Sequence, residues 1–200
     1  MAGSQEFWEG RYRAAAAEGS SLWGREPNGW IAEQAAGLAT GHAADLGAGE
    51  GRNAFWLAER DWSVEAVDFS AVAVAGMAEE AALRRLPVAA TVGDVTAWTA
   101  EQPVDLAVLC YLQLPPDALA AAIGAAARAL RPGGVLLGIW HDRLDVERGL
   151  AGTMSPAIRT TPDETAAMAV AAGLTAELSG RRDREVDGGL ACDCLLVARA

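Results

Sequence analysis

Residues 44–53 read ADLGAGEGRN, which sets one acid, Asp45, two positions before the first of three glycines at 47, 49 and 51. Glycines at alternate positions let a backbone turn sharply and approach a ligand with no side chain in the way. A second acid, Asp68, follows 21 residues after Gly47, at the end of the strand-like run SVEAVD. A carboxylate there accepts hydrogen bonds from both hydroxyls of an unphosphorylated ribose. A dinucleotide fingerprint would put a small residue three positions after the second glycine, and the chain has Arg52 there, too bulky for close packing beside a pyrophosphate. The chemistry implied is capture of a nucleoside that needs no phosphate. The alternative for the glycines is a tight strand-to-helix turn without a ligand. Asp45 is open to two roles, a ligand contact or an acid that stabilises the turn.

Whole classes of function drop out on composition. All sixteen basic residues are arginines, so no lysine exists to serve a triphosphate loop, a Schiff base or a kinase-type ion pair. A net charge of −11 argues against a nucleic-acid footprint, which needs clustered positive charge. The one basic cluster, RRDRE at 181–185, reads as a solvated strand face. Two histidines, His42 and His141, and three cysteines, Cys110, Cys192 and Cys194, lack the spacing of a metal site, so no metal is expected. Cys192 and Cys194, two apart in ACDCLLV, share one face of a strand. The opening MAGSQEFWEGRYR carries no apolar core of signal length and no later run approaches a membrane span, so a cytoplasmic protein without a membrane partner is expected.

The elements that must position these residues follow from periodicity and breakers. Helical stretches at 6–18 and 30–39 flank a turn-rich segment at 19–29. From residue 42 strands and helices alternate: a strand at 42–46, a helix from Gly51 to about Arg60, a strand at 63–68, and a helix at 70–85 with Ser70 as its N-cap. Strands at 87–92 and 104–112, a helix at 117–130 and a strand at 134–140 after the breaker RPGG complete the series. Such alternation calls for a parallel sheet with helices on both faces. The last two strands, 174–186 and 190–200, are separated only by Asp187, Gly188 and Gly189, which makes a hairpin. The expected fold is therefore a single α/β domain over residues 1–200, a Rossmann-like open sheet of seven strands, mostly parallel with an antiparallel C-terminal strand. Residues 1–40 form a helical cover on a core of 41–200.

ADLGAGEGRN, VEAVDFS, VGDV, VDLAVLCYL and LRPGGVLLG occur in the order of class I S-adenosylmethionine-dependent methyltransferases, which residues 20–200 strongly resemble. The stretch GEGRNAFWLAERDWSVEAVD is most similar to the subgroup holding the tellurite-resistance and thiopurine-type enzymes; Ala48 stands where many relatives carry cysteine, another small residue. The resemblance implies S-adenosyl-L-methionine as cofactor and S-adenosyl-L-homocysteine as product. It implies that Gly47, Gly49 and Gly51 pass under the methionine part beside Asp45, that Asp68 holds the ribose, and that Phe69 and Ser70 follow on the adenine side. Asp94 and Val95 would meet the adenine edge, and Cys110 and Tyr111 the methionine and methyl end. Phe69 and Tyr111 have a second reading as plain core aromatics. In the subgroup a segment such as WGREPNGW closes over the cofactor, so Arg25 would pair with its carboxylate, and Trp23 or Trp30 would shield the sulfonium, or else anchor the cover. Trp56, Trp62, Trp98 and Trp140 read as packing.

On the acceptor side the candidate catalytic set is His141, Asp142 and Tyr111, and the candidate substrate contacts are Gln113 and Arg52, with Arg52 and Asn53 both open to either cofactor or acceptor. His141 sits after the fifth strand of the alternating series, where open α/β sheets place ligands; it either deprotonates the acceptor with Asp142 tuning it or caps the strand. Segment 141–161, including GLAGTMSP with Met154 as a packing residue, is expected to line the acceptor pocket. LQLPP at 112–116 lacks the Asn/Asp-Pro-Pro-aromatic signature of enzymes that methylate nucleic-acid amines, which with the acidic charge points to a small-molecule acceptor. Three functions stay open: a methyltransferase acting on a thiol or other chalcogen, or else on a hydroxyl or amine; a non-catalytic cofactor-binding protein; and a nicotinamide-dependent reductase. A monomer or homodimer is expected.

Overall fold

The computed structural model describes residues 5–150 and 155–200. Its strands are β1 (His42–Leu46), β2 (Ser63–Asp68), β3 (Val88–Val92), β4 (Val104–Cys110), β5 (Leu130–His141), β6 (Thr175–Val186) and β7 (Gly189–Arg199). They form one sheet in the order β3-β2-β1-β4-β5-β7-β6. All run parallel except β7, which is inserted antiparallel between β5 and β6. The expected architecture is therefore present, with β6 rather than the antiparallel strand at the sheet edge. The hairpin turn is tighter than the three separators suggest: Val186 pairs with Gly189, leaving Asp187 and Gly188 as a two-residue loop with Gly188 at φ 96°.

Helices cover both faces. On one lie α2 (Gly29–Ala35), α3 (Arg52–Ala58) and α4 (Ala71–Arg84), whose Trp30, Ile31, Phe55, Leu57 and Met77 pack on Val64, Leu106, Leu137 and Ile139. On the other lie α5 (Pro116–Ala129) and α7 (Pro162–Ala171), packed on Leu46, Leu109, Leu136 and Trp140. The period-2 alternation of each strand feeds both cores in turn. Trp62, Trp98 and Trp140 are buried as packing residues, Trp98 also donating to Glu65 Oε1 at 2.9 Å, while Trp56 packs on the α2–α4 side at the periphery. α1 (Gln5–Ala17) lies outside these layers, against α4.

Three stretches differ from expectation. Arg131-Pro-Gly-Gly does not end strand pairing, because Leu130 already pairs with Val104 and the ladder resumes past an irregularity at Leu106 and Val135. Segment 141–161 holds a short α6 (Leu144–Glu147) and a 3-10 turn (Pro156–Ile158), and Asp142 bridges Thr160. α7 follows behind a capping box between Thr161 and Glu164. Met154, read as a packing residue, lies outside the described residues. RRDRE is more than a solvated face, since Arg181, Arg182, Asp183 and Arg184 each make an ion pair. Among the described residues no helix is long and apolar enough to cross a membrane, and no group of three or more His, Cys, Asp or Glu is arranged to hold a metal.

Candidate active site

The sheet order reverses between β1 and β4, and the glycine loop leaves β1 at that point, where open α/β sheets open a crevice at their carboxyl edge. Gly47, Gly49 and Gly51 all take positive φ (78°, 57° and 84°), conformations open to glycine at little cost. The amides of Gly47 and Ala48 donate to Val67 O, and Gly51 is the left-handed residue that opens α3. A Cβ on Gly49 would lie 2.8 Å from Tyr12 Oη, and one on Gly47 2.8 Å from Leu112 Cδ1, so the loop is a cradle that side chains would fill.

Two acids face this cradle. Asp68 is buried at the end of β2 and accepts from Gly49 N at 2.8 Å and Ser70 N at 2.9 Å. Burial raises its pKa, the Ser70 and Gly49 amides act against that, and the Glu9 carboxylate adds to it. Asp45 is fully buried, and neither of its carboxylate oxygens hydrogen-bonds a described residue. Burial pushes it up to about 7, with the Arg52 charge and the nearby Ala54 amide pulling the other way. A buried carboxyl without well-formed partners is costly, which suits a ligand group arriving beside it, while the Ala54 amide keeps the turn-stabilising role in play. Ser70 caps α4 as expected, its Oγ accepting from Ala73 N at 3.2 Å. Phe69 is half-buried beside it. Asp94 is exposed and turned onto Thr96, accepting from its amide and hydroxyl, while Val95 is buried in the core.

The N-terminal segment lies over this loop. Gln5 donates to Phe69 O, and Glu9 accepts from Ala71 N at 2.7 Å, an anion at the positive end of α4. Tyr12 is buried against Gly49, and Glu50 holds Ser21 Oγ and Leu22 N at 2.7 and 2.9 Å. Trp8 packs on Tyr12 and Trp23, with ring centroids 6.0 and 5.7 Å apart. Sequence reading missed Trp8, Glu9 and Tyr12, because nothing local in EFWEGRY says which way the helix docks. Trp30 is no shield: it is buried in the core beneath α2, while Trp23 stays 43% exposed at the roof. Asn53 ties the cover down by accepting from Asn28 N at 2.9 Å.

Of the two arginines, Arg25 sits otherwise than the resemblance implies. Arg25 extends over α4 to Glu80 at 3.0 Å, with its side chain 82% exposed. Arg52, first residue of α3, donates to Trp23 O at 3.4 Å and reaches Cys110 Sγ at 3.8 Å. Its charge acts on both Asp45 and Cys110, so it lies at the Cys110 side of the cradle. The Cys110 thiol is buried and pushed up to about 11, chiefly by burial, so it is no ready nucleophile.

Beyond Cys110 a polar group fills the corner between β4, β5 and β7. Tyr111 takes a left-handed φ of 52° and donates from Oη to Asp193 Oδ2 at 2.8 Å. Its ring lies 4.7 Å from that of His141. His141 Nδ1 is 3.5 Å from Asp193 Oδ1, and Arg184 Nε donates to Asp193 Oδ2 at 2.9 Å. Burial pushes Asp193 up, yet the contacts from His141, Arg184 and Tyr111 outweigh it and hold the carboxyl below the usual range. Asp142 does not tune His141. Adjacent strand residues point to opposite faces, and Asp142 is buried on the far side, accepting from Leu144 N and Arg181 Nε, each at 2.8 Å. The partner is Asp193, which faces His141 across the β5–β7 ladder; the lone acid inside the apolar ACDCLLV is the signal that could have found it. Gln113 is occupied by main chain, its amide donating to Ile158 O at 2.7 Å and accepting from His141 N at 2.9 Å, so it is a brace rather than a substrate contact. Through Ile158 the described part of segment 141–161 borders His141.

A glycine cradle at the switch point, a buried acid closing β2 and an antiparallel β7 define a methyltransferase-type Rossmann-like fold. Residues 43–134 match the family described as "Methyltransferase domain". Among solved structures the fold is shared with a protein from work on conversion of a disulfide bond into a thioacetal group in echinomycin biosynthesis, 24% identical over 92% of this chain and 88% of that one, TM-score 0.70. It is shared with TehB from Haemophilus influenzae (15%, 98% and 66%, TM-score 0.71) and with the glycopeptide N-methyltransferase MtfA bound to S-adenosylmethionine (18%, 88% and 87%, TM-score 0.67). No curated protein sequence matches. Residues 43–134 thus match a methyltransferase domain, which gives the enzyme class as methyltransferase, and the fold around them is shared with MtfA, whose structure holds the cofactor S-adenosylmethionine. The cradle, the orphaned Asp45 and the buried Asp68 fit that cofactor.

Proposed function

We propose that this enzyme methylates a small molecule through a chalcogen atom, most simply a thiol. The observation that carries the small-molecule part is the roof: Tyr12 against Gly49, and Glu50 holding Ser21 and Leu22, close the cradle to a polymer. Asp68 would hold the ribose, Arg52 the methionine end, and Asp94 with Val95 the adenine edge. Bound there, S-adenosylmethionine supplies an electrophilic methyl group and departs as S-adenosylhomocysteine.

The chain's own work is to hold the acceptor in line, exclude water and take up a proton. Positioning alone supplies about 7–11 kcal/mol in favourable cases. The aromatic roof already holds a cation, the Arg11 guanidinium lying 5.3 and 5.6 Å from the Trp8 and Trp23 ring centroids, a contact of a kind worth roughly 0.5–2 kcal/mol. His141 suits an acceptor whose proton leaves easily: an imidazole is matched to a thiol near pKa ~8.5 far better than to an alcohol. The sulfur chemistry named for one neighbour, conversion of a disulfide bond into a thioacetal group, supports the chalcogen reading. The His141–Asp193 pair also favours a second reading, a phenol or amine that loses its proton during transfer.

The test is a matched pair, benzenethiol against phenol, with S-adenosylhomocysteine release measured for each. A kcat/KM favouring the thiol by tenfold or more beyond the uncatalysed difference supports the reading. Preference for the phenol transfers it to the second.

A further inference from the structure

Resting on that reading, we infer that Asp193 is the positioning residue for His141: the carboxylate fixes the imidazole with its proton on Nδ1 and leaves Nε2 to take the acceptor's proton. Three observations on the β7 side of the site carry this. Asp193 is only 2% exposed yet sits within β7 between Cys192 and Cys194, a burial that needs polar partners to be tolerated. It has them in a ring, from Tyr111 Oη, Arg184 Nε and His141 Nδ1. The His141 ring is also confined by the Tyr111 ring at 4.7 Å and 31°, so the orientation set by Asp193 is kept.

The arrangement has a consequence for each member. Tyr111 Oη and Arg184 Nε both donate to Asp193 Oδ2, while Oδ1 faces His141 Nδ1 at 3.5 Å and takes a second, long contact from Arg184 Nη2 at 3.4 Å. The 3.5 Å separation is long, as such contacts often are before substrate arrives. When the acceptor's heteroatom bonds to the methyl carbon, its proton passes to Nε2, the carbon–sulfur electron pair stays on the departing sulfide, and Asp193 balances the imidazolium until solvent removes the proton. Because Tyr111 and Arg184 also hold Asp193, the carboxylate stays put through this cycle. β7 thus has a chemical task beyond closing the sheet.

With two histidines in the chain, the ring nitrogens can be read directly by long-range proton–nitrogen NMR, His42→Gln giving the assignment. The expected spectrum places the proton of neutral His141 on Nδ1 in the wild-type protein and moves it toward Nε2 in Asp193→Asn. This needs neither cofactor nor acceptor, so its failure is separate from failure of the functional reading. If neutral wild-type His141 carries its proton on Nε2, the inference is wrong, whatever the variants do. In turnover, Asp193→Asn should lower kcat on the order of 10²-fold with KM for S-adenosylmethionine within about twofold. Asp193→Glu should recover part of that loss. Loss of cofactor affinity matching the loss of kcat, with the tautomer unmoved, would make Asp193 merely structural.

Discussion

The Gly49 amide donates to the Asp68 carboxylate at 2.8 Å, joining the loop after β1 to the end of β2. The loop therefore depends on the acid proposed to hold the ribose, and the two are one binding feature. Asp68→Ala should weaken S-adenosylhomocysteine binding by ~1.5–3 kcal/mol, the value of a charged hydrogen bond. Calorimetric titration of a variant with wild-type circular dichroism checks this; unchanged affinity would remove Asp68 from the cofactor site.

Asp45 makes stability depend on pH in a defined direction. Its folded pKa of about 7 lies above the ordinary aspartate value of ~3.9. Between these the unfolded chain has lost the proton and the folded one keeps it, so stability falls as pH rises through that window and levels off above it. Asp68, also raised, adds in the same sense. The melting temperature should drop more between pH 5 and pH 8 in wild type than in Asp45→Asn. Parallel curves would mean Asp45 is already ionised at pH 5.

Arg52 and Arg25 compete for one role, the clamp on the cofactor carboxylate. Arg25 is drawn onto Glu80 at the surface, whereas Arg52 lies near Asp45 and Cys110. Arg52→Gln should raise the Kd for S-adenosylmethionine about tenfold or more, from loss of a charge-assisted contact, and Arg25→Gln less than about threefold. The reverse ranking would restore the assignment made from the resemblance.

Gly51 opens α3 at φ 84°, and a Cβ there would lie 2.7 Å from Met77 Sδ and 3.1 Å from Phe55 Cε2. Gly51→Ala should cost roughly 1–3 kcal/mol. For a chain of this size that lowers the melting temperature by roughly 2–4 °C per kcal/mol. A melting temperature within 1 °C of wild type (about the precision of the scan) would contradict the strain read from the backbone.

What was legible in the sequence was whatever is local. The glycines of 47–51, the acid closing SVEAVD and the Asp-Gly turn each announce a backbone event by residue type, and the sheet follows from their order. What was hidden depends on register across strands. Asp142 stands next to His141 in sequence and on the opposite face in space, while Asp193, 52 residues on, stands across from it. Arg25 was placed by likeness, and only the docking of the cover on α4 shows it held by Glu80. α7 was passed over although Thr161 and Glu164 spell its capping box.

The central claim, methyl transfer to a small molecule through a chalcogen, is met most directly by measuring S-adenosylhomocysteine release from purified protein across two acceptor panels. One holds small thiols, selenite, tellurite and iodide; the other holds phenols, carboxylates and amines. The account predicts acceptor-dependent product with the soft panel, abolished in Asp68→Ala. Product with the second panel alone would contradict the chalcogen reading, and binding of S-adenosylmethionine with no product from either would contradict small-molecule turnover itself.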